Sequence, residues 1–221
     1  MRPTTILLTC GVAAGVLVPA LILTDGATRP GYSLWHHGAS QLGTGQRGWL
    51  QTVNFVIGGL LLLAFAAGLR RVLCRAPQPG RAAIWGPILL AAAGLALAVA
   101  GIVPTDPALG YPPGRPEVIT ATGRVHGLAG LGLFATLAAT PFVLARPLRG
   151  SNQGWVAYSR WSGALVIAFA IAAGVAFRLD VQGVLRPAPA GLLEHAALLV
   201  GFAWIIAAGL RLRSPNTVVQ G

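Results

Sequence analysis

Six stretches of about 20 mostly apolar residues run through this chain of 221 residues, and each is long enough to cross the hydrocarbon core of a bilayer as a helix. A backbone in lipid must satisfy its own N–H and C=O groups, so an apolar stretch of that length is confined to the helix. The segments lie at about residues 5–23, 50–69, 84–103, 125–145, 161–177 and 191–210. Charged residues make up 10% of the chain, against about a quarter in a soluble domain, so most of the surface has to face lipid. The expected fold is all-α: a single polytopic membrane domain over residues 1–221, with six transmembrane helices in one bundle. Arg2 ahead of the first apolar run raises the possibility of a cleaved signal peptide. The length of the run, Pro19 within it and its end at Thr24-Asp25-Gly26 favour a retained helix.

The arginines set the orientation. The chain has no lysine, and its net charge of +11 comes from arginines at segment ends. One set of ends holds Arg2, Arg70, Arg71, Arg75, Arg81, Arg146, Arg149, Arg160, Arg211 and Arg213, and the other holds Arg29, Arg47, Arg115, Arg124, Arg178 and Arg186. The richer set is expected in the cytoplasm, together with both termini. Scattered arginines without interleaved aromatics argue against nucleic acid as a partner and for membrane lipid. Cys10 and Cys74 fall near the cytoplasmic side, where thiols stay reduced.

The remaining ionisable residues all map to the opposite side. They are Asp25, Asp106, Glu117, Asp180, Glu194, His36, His37, His126 and His195. The long connections lie there too, from Thr24 to Trp49 and from Pro104 to about Arg124, and loops of such length are commonly functional or disordered. Gln51, Asn54 and Gly58 share one face of the second helix, which should point into the bundle; interhelical bonding and close packing account for them as a structural polar face. Gly123, Gly127 and Gly130 suggest tight packing of the fourth helix, and Pro19 and Thr140-Pro141 suggest kinks.

Ser40, Asp106 in Pro104-Thr105-Asp106-Pro107, His126 and Glu194-His195 sit at the same depth on different segments. In a compact bundle they can converge on one cavity. Ser40, Asp106, His126 and Glu194 are the candidate catalytic groups, suited to acid–base work. His126, Asp106 and His195 are candidate ligands for a divalent metal such as zinc. Adjacent helical residues point about 100° apart, so only one of Glu194 and His195 is expected to face the bundle. His36-His37 reads as a metal-ligand pair or, preferably, as exposed loop residues. The chain has no HExxH, CxxC, G-x-S-x-G, Walker or dinucleotide motif.

The order Ser40-x-Leu42-Gly43, Trp49, Asn54-Phe55, Pro104-x-Asp106 and His126 resembles the bacterial and archaeal membrane family called "domain of unknown function 998". The resemblance covers nearly the whole chain. It implies a six-helix integral protein of the inner membrane and adds weight to Ser40, Asp106 and His126, but names no activity or cofactor. The family's pattern has Glu followed by Arg at the start of the last helix, where this chain reads Glu194-His195. Two classes of function stay open. One is non-enzymatic, as a small-molecule or lipid transporter, lipid binder or partner subunit, and it stands slightly ahead. The other is a membrane-embedded hydrolase or transferase acting on a lipid or lipid-linked substrate. An ion-coupled pump is disfavoured because no acid lies mid-membrane.

Overall fold

The computed structural model describes residues 3–76, 79–150, 152 and 154–213. Arg2, counted above among the cytoplasmic arginines, lies outside them. Six membrane-length helices are present among the described residues: α1 Pro3–Thr28, α2 Gly48–Leu73, α3 Ala82–Ile102, α4 Ala121–Leu144, α5 Gly154–Val181 and α6 Ala190–Arg213. No strand occurs among these residues. The chain is an integral membrane protein, and the expected all-α bundle is the fold observed.

Each helix packs on the next in sequence, and α6 returns to α1, which closes the ring. Leu62, Phe65, Leu69, Leu97, Phe202 and Ile205 lie inside it, each almost wholly buried. Leu60, Leu95, Leu128, Leu131 and Ile171 point outward, as lipid-facing residues should. Lipid is as apolar as leucine, so no hydrophobic drive brings such helices together, and close van der Waals fit must do it. Gly59 and Gly94 allow the backbones of α2 and α3 to touch. Pro19 and Pro141 sit within α1 and α4, which continue through them.

The helices run past the apolar stretches read from sequence, because polar contacts carry the extra turns. α1 continues to Thr28 with Asp25 buried and paired to Arg29 and Arg47. Arg29 also donates to the carbonyls of Thr44 and Arg47, both at 3.1 Å, which fastens the first connection to the end of α1. α5 starts at Gly154 rather than near Trp161. Its first turns bury Trp155 and Ser159, and Ser159 accepts from the Trp204 indole N–H of α6 at 3.0 Å. At this same end Arg211 donates to the carbonyls of Leu148 and Arg149 and lies 5.1 Å over the Trp155 ring. Such bonds occupy carbonyls that a connecting segment leaves exposed. Cys10 and Cys74 are free thiols.

Candidate functional site

The acids and histidines meet at the end of the bundle opposite Arg211. The first connection folds inward there and holds the 3-10 turn Ala39–Gly43 between the helices. Ala39 is gripped from two sides: its N–H donates to Glu194 Oε1 of α6 at 3.0 Å, and its carbonyl accepts from Gln51 Nε2 of α2 at 3.2 Å. A Cβ on Gly191 of α6 would stand 2.3 Å from the His37 carbonyl oxygen, so only glycine there lets α6 close on this turn. Leu42 is fully buried beneath it. Ser40 is thereby presented to the interior, and no hydrogen bond to its hydroxyl exists among the described residues. Asn54 donates to Gln51 Oε1 at 3.3 Å and to the Val18 carbonyl of α1 at 3.1 Å. The polar face of α2 thus binds α1 and the turn together.

Asp106 and His126 tie α3 to α4. Thr120 is the N-cap of α4, and its hydroxyl oxygen accepts from Gly123 N–H at 3.0 Å. The same hydroxyl donates to Asp106 Oδ1 at 2.6 Å, and Thr120 N–H donates to Asp106 Oδ2 at 2.8 Å. These two bonds hold the Asp106 carboxyl below its ordinary pKa. Asp106 lies against the bare Cα of Gly123. His126 donates from Nδ1 to the Val103 carbonyl at 2.8 Å, one of the carbonyls that the end of α3 leaves without a helical partner. A carbonyl can only accept, so in the neutral ring the remaining nitrogen, Nε2, is the one that carries the lone pair.

Three adjoining cavities open around these groups. A chamber of about 490 Å³ is lined by Ser40, Gln41, Thr105, Asp106, Glu117, Arg178 and Glu194, with Ile119 and Phe177 at its side. A second, of about 230 Å³, lies between α4 and α6 against Phe55, Ala100, Gly127, Gly130, Leu133, Phe134 and Leu198. It shares Ser40, Thr105, Gly123 and Glu194 with the first and adds His126. A third, of about 50 Å³, reaches Gln51 and Thr52 past Ser40, Thr105 and His126.

Ser40 and Glu194 line both larger cavities, while Asp106 borders only the larger of them and His126 only the other two cavities. Other expectations need correction. Asp106 and His126 serve separate partners, Thr120 at the carboxylate and Val103 at the imidazole, rather than one shared ion. His195 is buried on the far face of α6, with Nε2 3.3 Å from the Tyr32 hydroxyl, so both Glu194 and His195 face the interior, on different sides. The expected ligand set of His126, Asp106 and His195 is not formed, and no group of three His, Cys, Asp or Glu side chains able to hold a metal occurs among the described residues. Gly127 and Gly130 do not support tight packing: nothing lies within 4 Å of where their side chains would begin.

His36 and His37 are not exposed loop residues. His36 Nε2 lies 2.7 Å from Asp180 Oδ2, and Asp180 is wholly buried, taking further bonds from Arg186 Nε at 3.1 Å and Ala188 N–H at 2.7 Å. His37 accepts at Nδ1 from Ser33 N–H and donates from Nε2 to the Leu109 carbonyl at 3.1 Å. Burial pushes its pKa below the ordinary histidine value, in keeping with a neutral ring. Its ring packs 5.4 Å from Tyr32 and 5.2 Å from Tyr111. The Tyr32 phenol, pushed well above its usual range first by burial and then by the negative charge of Glu194, stays protonated and serves as a donor at 3.0 Å to the carbonyls of His37 and Gly38.

Thr105, Gln41 and Arg178 escaped the sequence reading. Thr105 borders all three cavities, and its place between two prolines beside Asp106 was the available signal. Gln41 and Arg178 resemble any loop amide and any helix-end arginine until the fold brings them together. No curated protein and no solved structure matches this chain. The model of one family matches residues 12–211. The six apolar helices and the Ser40, Asp106 and His126 positions lie within that span, and the chain belongs to the family described as protein of unknown function, DUF998.

Proposed function

We propose that this membrane protein binds an amphiphilic ligand, a lipid or lipid-like molecule, in the space between α4 and α6, and that the site faces away from the cytoplasm. The carrying observation is a pair of adjoining cavities whose mostly apolar walls carry a few charged and hydroxyl groups. The larger sets Ser40, Thr105, Asp106, Glu117, Glu194 and Arg178 among Val118, Ile119, Phe177 and Val181, and the smaller sets Ser40, Thr105, His126 and Glu194 among Phe55, Leu133, Phe134 and Leu198. The chamber volume of about 490 Å³ falls within the roughly 300–1,000 Å³ usual for small-molecule sites. The arginine bias supports the orientation, with Arg70, Arg71, Arg211 and Arg213 at the opposite end and both termini in the cytoplasm of a bacterial or archaeal cell. Filling the apolar part tests the reading. Wild-type protein purified in mild detergent should retain a lipid visible by native mass spectrometry, and Gly130→Phe should lose it while staying folded. Equal retention by both proteins would sink the idea.

A hydrolase or transferase reading keeps one specific support. The Ser40 hydroxyl and the lone-pair nitrogen of His126 open on the same two cavities, as a nucleophile or water-positioning group and a general base would need to. Turnover of an ester- or phosphate-linked amphiphile, abolished in Ser40→Ala and His126→Ala with the fold retained, would establish it. Unchanged turnover in both variants would remove it.

A further inference from the structure

The larger chamber carries charged groups of both signs, and its unpaired groups define what can complete them. Asp106 already takes two hydrogen bonds from Thr120. Glu117 and Glu194 each accept one backbone N–H through Oε1, from Gly110 at 2.9 Å and from Ala39 at 3.0 Å. Their second oxygens take no hydrogen bond among the described residues. Gln41 belongs to the frame of the chamber. Its Nε2 donates to the Ala108 carbonyl at 2.6 Å, which fixes the amide orientation because that carbonyl can only accept. Its Oε1 is left buried without a partner among the described residues, on a side chain only 5% exposed. That oxygen is closed off from the open space of the chamber, so a ligand there does not reach it. Arg178, in the last turn of α5, lines the same chamber with no carboxylate or carbonyl partner among the described residues, and its planar fork matches phosphate oxygens.

We propose that the chamber receives a head in which a primary ammonium and a phosphate are joined, the head chemistry of an aminophospholipid, with Glu117 and Glu194 serving the ammonium and Arg178 the phosphate. The inference rests on the amphiphile reading and names the chemistry of that ligand. An anionic head with no amine would place its phosphate against the free acceptor oxygens of Glu117 and Glu194, with only Arg178 to complement it. A quaternary ammonium has no N–H to give to the free oxygens of Glu117 and Glu194. A cationic head with no phosphate would leave Arg178 unmatched.

The test uses the full chain in detergent and native mass spectrometry or calorimetry with short-chain lipids. Dioctanoyl phosphatidylethanolamine should bind saturably, at least about tenfold more tightly than the choline or glycerol phospholipid of the same chains, the order of one charge-assisted hydrogen bond. Arg178→Gln and Glu117→Gln should each weaken it by about tenfold, with wild-type thermal unfolding of the free variants as the folding control. Arg178 is exposed, so its variant carries the test even if Glu117→Gln folds poorly. Equal binding of the three phospholipids, or preference for the glycerol head, overturns the head assignment and leaves the amphiphile reading standing. Saturable binding of none of them, dioctanoylglycerol included, overturns both. Soluble O-phosphoethanolamine binding as tightly as the lipid supports the head chemistry and overturns the lipid as its source.

Discussion

Two seams of this bundle use glycine in opposite ways. Between α2 and α3, a Cβ on Gly59 would stand 2.5 Å from the Gly94 carbonyl oxygen, and one on Gly94 would stand 2.7 Å from that of Gly59. Between α4 and α6, Gly127 and Gly130 face a cavity, with nothing within 4 Å of an added Cβ. The first pair holds a membrane bundle together by contact. The second pair leaves room. A small residue in a membrane helix is thus a packing device only where the facing wall comes to meet it.

The contrast can be broken most directly by substitution. Gly94→Leu should reach or exceed the roughly 1–3 kcal/mol usual for overpacking, because the obstacle is backbone, and little folded protein should survive in detergent. Gly130→Leu should unfold at or above the wild-type temperature, since a helical glycine costs about 0.5–1 kcal/mol relative to alanine and the space is open. Equal melting of the two variants would erase the distinction. Truncation sharpens the same point. Leu97→Ala, at a fully buried site inside the bundle, should cost about 2–5 kcal/mol. Leu198→Ala, which already borders a void, should fall at or below the bottom of that range in the same unfolding assay.

Smaller effects belong to the groups that frame the chamber. Thr120→Ala should cost about 1 kcal/mol as the loss of an N-cap, and Asp106→Asn should weaken the same cap. The hydrogen bonds that lower the Asp106 pKa give the sign of its pH dependence. Its contribution is whole above the unfolded value of about 3.9 and is lost as pH falls below that toward the folded value. Melting of Asp106→Asn should therefore change less between pH 5 and pH 3 than melting of the wild type. His37 acts higher on the pH scale. Burial lowers its pKa, so its contribution is whole above about 6.5 and declines as pH drops below that value. His36, Tyr32 and Tyr111 pack on its ring, and Asp180 interacts with it electrostatically. His37→Gln should flatten the melting profile between pH 7 and pH 5, and an unchanged slope would show that His37 is not the group responsible.

Much of this was legible in the residues. Bilayer thickness dictates the length of an apolar run, so six runs meant six helices. A mid-helix amide in lipid must find a partner, so Gln51 and Asn54 had to face the bundle, and they do. Ser40, His126 and Glu194 could be placed at one depth by counting residues along their segments. Counting also misled, because depth says nothing about azimuth. Asp106 and His126 stand at the same level yet serve different partners, Thr120 and Val103, and His195 turns to Tyr32 rather than to the cavity. His36 and His37 read as exposed because a loop residue has no periodicity to report its burial. Asp180, more than 140 positions away in the chain, is what draws His36 inward.

The sequence by itself determined the solvent this protein lives in, the number and length of its spans, and the gathering of its acids and histidines at one end, because each follows from local chemistry against a slab of fixed thickness. Tertiary structure alone decided which glycines touch and which stand clear, which nitrogen of His126 stays open, and that Gln41, Glu117, Arg178 and Glu194 line one chamber. Those outcomes depend on how each helix is rotated about its own axis. That rotation is set by contacts among segments far apart in the chain, which no stretch of sequence carries alone.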